Sequence, residues 1–237
     1  MHRELVQAFH TLHKSAERER LLANTLAEKT AFVGNMCHEV RNALQALLAV
    51  AETHTEAGDM LPLCERVGSL VEDSLQYVRT ESGSGITLRP IATSVQALSN
   101  RWRDEWPNAD NLTFVVEGGS SVILADPNRC GQIVHNLIRN GQTHTRAGTK
   151  VVVTVKYLRG ILTVQVADNG AGVDPAVRPR LFVPFVKRTH VAGTRSGMGL
   201  AISHQLAQVM GGKLCLLHTS ATGSTFQFTL PCKETTL

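Results

Sequence analysis

The sequence predicts an α+β protein, in which an N-terminal helical hairpin forms a dimeric four-helix bundle and a C-terminal α/β sandwich follows it. Apolar residues recur at intervals of four and three from Leu5 to Ala51. A repeat of this length is typical of helices packed along a seam against other helices, usually including a partner chain. A glycine–serine segment near residue 82 follows, and beyond it short strands alternate with helices. We place the domains at residues 1–82 and 86–232.

The composition is that of a packed soluble protein, with 43% hydrophobic and 19% charged residues among 237. The net charge is only +4, and the Arg and Lys residues are scattered with few aromatic residues between them. This pattern argues against a nucleic-acid partner. No apolar run approaches the roughly 20 residues that cross a bilayer, and the N-terminus lacks the apolar block of a signal peptide. We therefore expect a cytoplasmic chain without a membrane segment, either independent or the soluble part of a longer protein.

The cysteines predict core thiols in a reducing compartment. They are odd in number and include no C-x-x-C pair, which argues against both disulfides and a zinc site. The five are Cys37, Cys64, Cys130, Cys215 and Cys232.

The first helix carries the clearest candidate for chemistry. If its apolar stripe is buried, His38 lies one residue past the core position Cys37 and faces water. Glu39 is adjacent, and Asn42 follows one turn later on the same face. An exposed imidazole beside a carboxylate on a rigid helix is a candidate nucleophile.

Turn and cap residues divide the first domain into two helices. The first helix is predicted to run to about Glu56, where Gly58 suits its end. Asp59 suits the N-cap of a second helix, which keeps helical spacing to about Arg79. The flexible segment 81–85 then forms the linker.

The second domain is predicted from alternation, turn residues and helix caps. Asp126 and Pro127 are an N-cap and a first-turn proline, and Arg159-Gly160 joins two strands as a hairpin. The predicted strands are 86–91, 112–117, 122–125, 151–158, 161–168, 213–218 and 224–230, and the predicted helices are 94–106, 126–145 and 199–210.

Two motifs in this domain have the chemistry of a nucleotide site. Asn136 and Asn140 are four apart on one helix face, where paired carboxamides can ligate Mg²⁺ and donate to phosphate. Asp168 ends a strand and can accept from an amino group such as that of adenine, while Gly170 and Gly172 let the backbone approach a ligand. Taken singly, each motif is equally an ordinary surface helix or loop.

A third motif precedes the last helix. Gly197 and Gly199 would free backbone amides at the helix N-terminus to hold phosphate, although a plain flexible loop fits the same residues. The preceding Leu181–Phe185 segment is predicted to be a hydrophobic latch. The basic residues between these segments, Lys187, Arg188 and Arg195, are consistent with either phosphate contact or simple solvation.

Together and in this order, the motifs resemble the conserved boxes of sensor histidine kinases of two-component signalling, over about residues 30–231. They correspond to the H, N, G1, F and G2 boxes and the glycine turn of the last hairpin. In chain order these are His38–Asn42, Asn136–Asn140, Asp168–Gly172, Leu181–Phe185, Ser196–Leu200 and Thr222–Phe226.

The resemblance implies a dimerisation and phosphoacceptor bundle followed by an ATP-binding domain of the GHKL (gyrase, chaperone, kinase, mismatch-repair) superfamily. It implies that His38 attacks the γ-phosphate of ATP while Glu39 orients its ring. The phosphoryl group would then pass to an aspartate on a response-regulator receiver domain. Asn42 resembles the residue that positions water for dephosphorylation of the receiver, so that Asn42→Ala should lose phosphatase activity and keep autophosphorylation.

The resemblance also implies roles within the nucleotide pocket. Asn140, with Asn136, would hold Mg²⁺ against the phosphates, and Asp168 would read the adenine amino group with Thr225 close to the same ring. The backbone at Gly197 and Gly199 would cover the phosphates.

Three residues depart from the family pattern. Ala43 replaces a common proline, Thr143 replaces the usual lysine of the N box, and Arg195 stands near a position that is often glycine. Thr143 favours an alternative, a degenerate kinase that acts as a dimeric scaffold or phosphotransfer hub. A GHKL hydrolase or serine kinase is a further alternative, although Asn136 stands where hydrolytic relatives usually have a glutamate.

Overall fold

A computed structural model describes most of the second half of the chain and scattered positions of the first. The described residues are 13–14, 17–20, 22, 25, 29–37, 40–42, 44–45, 68, 71, 73–75, 77, 86–107, 109–143, 148–186 and 197–236. His38, Glu39, the turn between the two predicted helices and the 81–85 linker lie outside these residues. The chain divides into two compact units, Met1–Val71 and Glu72–Leu237.

The described residues of the first unit are helical, as the apolar repeat predicts. Several stripe residues are nevertheless exposed in the single chain, among them Val33, Cys37 and Leu44. The predicted burial of the stripe is therefore not found within one chain, and the predicted core thiol Cys37 faces solvent. No helix among the described residues is long and apolar enough to span a membrane.

In the second unit residues 73–75 and 77 are helical, and the described residues from 86 onward form seven strands and three α-helices. The strands are β1 (Ile91–Ser94), β2 (Leu112–Glu117), β3 (Val122–Ala125), β4 (Val151–Leu158), β5 (Ile161–Asp168), β6 (Lys213–Ser220) and β7 (Gly223–Pro231). The helices are α1 (Val95–Asp104), α2 (Pro127–Thr143) and α3 (Gly199–Val209). A short 3₁₀ helix covers Arg178–Arg180.

Five strands form one sheet in the order β2-β4-β5-β7-β6, in which β2 and β4 are parallel and the other pairs are antiparallel. Strands β1 and β3 form a separate antiparallel pair. Arg159 and Gly160 both have positive φ, as the tight turn between β4 and β5 requires. Apolar residues of β4, β5 and β7 alternate toward the helices and form the core with them. The predicted α/β sandwich is thereby confirmed.

One predicted strand is wrong in position. Residues 86–90 have no regular secondary structure, and β1 begins at Ile91. Pro90 lacks a backbone donor, and the backbone N–H of Arg89 donates instead to Asp126 Oδ2 over 2.8 Å. The helix predicted to reach Trp106 ends at Asp104.

Helix α2 lies at the centre of the domain, and its start follows from the sequence. Asp126 Oδ1 accepts from the backbone N–H groups of Asn128 and Arg129, over 3.0 and 3.1 Å, and Pro127 is the first helical residue. The apolar face of α2 packs into the core through Cys130, Ile133, Val134, Leu137 and Ile138. The polar residues of α2 therefore lie on the faces of the helix that are not packed into the core.

Candidate functional site

Asn136 and Asn140 lie on α2, as predicted, but their surroundings differ. Asn136 is 8% exposed, and its Nδ2 donates to Ser203 Oγ on α3 over 2.8 Å. Asn140 has a buried Nδ2 for which the described residues provide no hydrogen-bond partner. A buried donor without a partner costs free energy, so this atom suits a bound acceptor such as phosphate or water.

A cavity of about 430 Å³ adjoins Asn136 and has walls from α2 and the start of α3. Arg139, Gly199 and Ser203 also line it. Gly199 is required here, because a Cβ at that position would collide with the carboxamide of Asn136. The glycine predicted to free the backbone therefore also makes room for the carboxamide of Asn136, which is a predicted metal ligand.

Polar and charged side chains from α2 and from the α1 region also line this cavity. His135 Nδ1 lies 3.0 Å from Glu105 Oε2, and Arg101 Nη2 donates to Asn128 Oδ1 over 2.6 Å. The lining thus carries charges of both signs, with the carboxylates of Asp73 and Glu105 as well as the guanidinium of Arg101.

Asp168 is held at the end of β5 beside α2. Its Oδ1 accepts from the backbone N–H of Gly170 over 2.9 Å, which closes the turn that follows the strand. Gly141 lets the helix approach, since a Cβ there would lie 3.4 Å from the Cβ of Asp168. The predicted adenine-binding aspartate and the asparagine helix are therefore packed together.

Gly172 and Gly223 are required by close backbone packing around this aspartate. Gly172 has φ 72°, and a Cβ there would collide with the carbonyl of Ser220. A Cβ at Gly223 would collide with the main-chain carbonyl of Asp168. Neither position accepts a side chain without a shift of the backbone.

The sheet register favours Ser224 over Thr225 as the β7 side chain beside Asp168. Asp168 pairs with Ser224, whereas Thr225 pairs with Ala167. Cross-strand partners share a face and neighbours along a strand alternate, so Thr225 lies on the opposite face. This corrects the sequence-based placement of Thr225 near the adenine ring. Ser224 is buried, and its hydroxyl lies 3.2 Å from Thr219 Oγ1.

The start of α3 is a second candidate position for phosphate. Met198 occupies the N-cap position and makes no side-chain capping bond, and the first turn has no acidic residue. Gly197 has φ 70°, and its carbonyl accepts from the backbone N–H of Phe185 over 3.1 Å. An uncapped helix N-terminus is a suitable place for a phosphate group.

The Leu181–Phe185 segment is anchored on α3, as expected of a hydrophobic latch. Leu181 is buried, and the Phe182 ring stacks on His204 with 4.8 Å between centroids. Burial lowers the pKa of His204 below its ordinary value. The imidazole is therefore kept neutral against the aromatic ring.

The remaining predicted residues lie in other parts of the chain or outside its described residues. Asn42 is helical and exposed. Thr143 is the last residue of α2. The basic residues Lys187, Arg188 and Arg195, like His38 and Glu39, lie outside the described residues.

The site as described fits a nucleotide with a divalent cation. The unpartnered Nδ2 of Asn140 and the start of α3, which has no side-chain cap, each offer donors that bound phosphates would use. Sequence reasoning missed Ser203 and Ser224. The turn glycine before Ser224 was a usable signal, but only the fold brings Ser203 to Asn136.

Comparison with known proteins agrees with this geometry. Residues 125–234 match the family of histidine kinase-, DNA gyrase B- and HSP90-like ATPases. The chain is 29% identical to the sensor protein TorS of Escherichia coli K12, over 94% of this chain and 26% of TorS. It is 28% identical to the signal transduction histidine-protein kinase AfsQ2 of Streptomyces coelicolor, over 96% of this chain and 47% of AfsQ2. The chain thus spans between about a quarter and a half of the length of these relatives.

Solved structures show the same fold. Full-length ShkA in complex with AMPPNP matches with a TM-score of 0.63 and 24% identity, over 84% of this chain and 44% of ShkA. Histidine kinase ThkA in complex with the response regulator TrrA matches with a TM-score of 0.64 and 19% identity, over 90% of this chain and 63% of that chain. Residues 125–234 thus match the family of histidine kinase-, gyrase B- and HSP90-like ATPases, and the chain is similar over nearly its whole length to two-component sensor histidine kinases.

Proposed function

We propose that this chain is an ATP-dependent histidine kinase that phosphorylates its own His38 and passes the phosphoryl group to an aspartate on a response-regulator receiver domain. The observation that supports it most directly is the cavity beside Asn136 at the uncapped start of α3. Alignment with sensor kinases over nearly the whole chain supports the extension to His38.

The proposed site residues divide the binding of ATP between them, and of these Asn136 and Gly199 line the cavity. Asp168 would accept a hydrogen bond from the adenine amino group, and the α3 amides would donate to the phosphates. Asn136 and Asn140 would hold Mg²⁺ through their carboxamide oxygens. Bound Mg²⁺ would neutralise part of the charge on the phosphates, which phosphoryl transfer requires.

His38 would supply the nucleophile. A nitrogen of its neutral imidazole forms the new bond to the γ-phosphorus, while the bond from that phosphorus to the bridging oxygen breaks and ADP leaves. Glu39 would accept a hydrogen bond from the other ring nitrogen and so stabilise the charge that develops on the ring. The phosphohistidine then donates its phosphoryl group to the receiver aspartate.

Two partners follow from this proposal. The exposed stripe that includes Val33 and Leu44 would be covered by a second copy of the chain in a four-helix bundle. The receiver would approach the exposed helical face that carries Asn42, one turn after His38. ThkA, a kinase of the same fold, is known in complex with a response regulator.

Incubation with γ-labelled ATP and Mg²⁺ tests the proposed function. We expect acid-labile, alkali-stable label on the wild-type chain and none on His38→Gln, because the amide of glutamine is not a nucleophile toward phosphorus. His13→Gln is a matched control, since this imidazole is exposed and belongs to none of the proposed sites, and it should still be labelled. Absence of label on the wild type would favour the scaffold, and free phosphate without label would favour the hydrolase.

A further inference from the structure

Ser203 connects α3 to the asparagine helix inside the candidate site. It lies on α3, one turn after Gly199, and both residues line the cavity. Ser203 is only 2% exposed, and its Oγ lies 2.8 Å from Asn136 Nδ2. A buried hydroxyl and a buried carboxamide therefore satisfy each other at the cavity wall.

This hydrogen bond sets the direction of the Asn136 carboxamide. A carboxamide has a donor end and an acceptor end, and only the oxygen can ligate Mg²⁺. With Nδ2 directed at Ser203, Oδ1 lies next to Gly199 at the start of α3. Among the described residues Asn136 makes no other side-chain hydrogen bond, so the oxygen is uncommitted. The absence of a side chain at Gly199 leaves the room that this orientation needs.

Asn140, on the same helix, lacks the hydrogen bond that orients the Asn136 carboxamide. Its buried Nδ2 has no hydrogen-bond partner among the residues that the structure describes, so no such bond fixes this end of the carboxamide. Of the two asparagines, Asn136 is thus the one oriented before any ligand arrives.

We propose that Ser203 is a positioning residue, which holds the Asn136 carboxamide with its oxygen toward a bound divalent cation. The inference rests on the proposed function, because it assumes that nucleotide and cation bind in this site. Residues that orient a metal ligand in this way typically change metal affinity or activity by about 10- to 100-fold when they are removed. The alternative is that the bond only fastens α3 to α2.

The experiment measures binding of AMPPNP by calorimetry, in EDTA and across a Mg²⁺ titration, for the full chain. For Ser203→Ala we expect the Mg²⁺ concentration that gives half of the maximal gain in affinity to rise about tenfold. Affinity in EDTA should be unchanged. Ser99→Ala is the matched control, because Ser99 is equally buried on α1, away from the cavity. It should leave both measurements unchanged.

A double-mutant cycle tests whether Ser203 orients the Asn136 carboxamide or only attaches α3 to α2. In an Asn136→Ala background, Ser203→Ala should have no further effect on the Mg²⁺ dependence, because its target is absent. Ser203→Cys keeps the volume with a weaker acceptor and should fall between serine and alanine, which provides a second variant if alanine destabilises the fold.

Three outcomes would contradict the inference. Equal loss of affinity with and without Mg²⁺ in Ser203→Ala, or additive effects in the cycle, would show that the bond only fastens the helices. Wild-type binding that is the same in Mg²⁺ and EDTA would also overturn it, while the nucleotide site would stand. Failure of the wild type to bind AMPPNP at all would overturn the proposed function itself.

Discussion

Asp168 makes two kinds of interaction that a single substitution can separate. Its Oδ1 accepts from the backbone of Gly170, and its proposed ligand contact is with an adenine amino group. Asparagine can keep the bond from the Gly170 N–H through its side-chain oxygen. Its NH₂ group would then face the adenine amino group, and two donors cannot form a hydrogen bond. We expect Asp168→Asn to keep the wild-type unfolding midpoint and to lose about 10- to 100-fold in nucleotide affinity. Calorimetry with AMPPNP checks this, and unchanged affinity would remove Asp168 from adenine recognition.

His204 should make stability depend on pH. Burial lowers the pKa of this imidazole in the folded chain, whereas in the unfolded chain it keeps its ordinary value near 6.5. Between these two values the unfolded state binds more protons, so the free energy of unfolding rises with pH. The stabilisation is complete above about pH 6.5 and is lost as the pH falls toward the lowered pKa. Urea denaturation between pH 5 and 8 should show a smaller acid-side decline for His204→Gln; an identical decline would contradict this explanation.

At the scale of the elements, Asp126 connects two segments. It caps α2 through Oδ1 and binds the backbone of Arg89 through Oδ2. Asp126→Ala should therefore lower the free energy of unfolding by about 1–2 kcal/mol, since it removes a cap and a second acceptor. Asp126→Asn, which keeps one acceptor for the helix, should lose less. Chemical denaturation of the two variants tests this order, and an equal loss would contradict it.

Elements that follow from local pattern were predictable from the sequence. The alternation of β4 and β5, their Arg159-Gly160 turn and the Asp126-Pro127 start of α2 all act over a few neighbouring residues. Residues 86–90 were predicted as a strand because their composition suits one. The backbone N–H of Arg89 instead donates to Asp126, which is 37 residues further along the chain. A local sequence pattern cannot predict such a distant partner.

The candidate site was predictable in its motifs but not in its contacts. Asn136, Asp168 and Gly199 were identified by residue type and order. Ser203 was missed because its role depends on how α3 packs on α2. Thr225 was named from the family resemblance alone, without the register of β7 on β5, and a shift of one residue reverses the face.

For the whole molecule, the exposed stripe predicts self-association. Val33 is 51% exposed in the single chain, and a charge at a bundle seam would be buried without a partner. Light scattering after size-exclusion chromatography should show a dimer for the wild type and a monomer for Val33→Glu. Leu217→Glu is the matched control, because Leu217 on β6 is also 51% exposed, and it should remain dimeric. A monomeric wild type would contradict the bundle.

Gly223, in the last hairpin, constrains the position of Asp168, the proposed adenine-binding residue. Its α-carbon is pressed against the main chain of Asp168, so any larger residue must displace that aspartate. A random-mutagenesis screen sorted for weakened nucleotide capture would consequently return substitutions at Gly223. Such variants would imitate the loss of a direct contact, although the position has no side chain with which to make one.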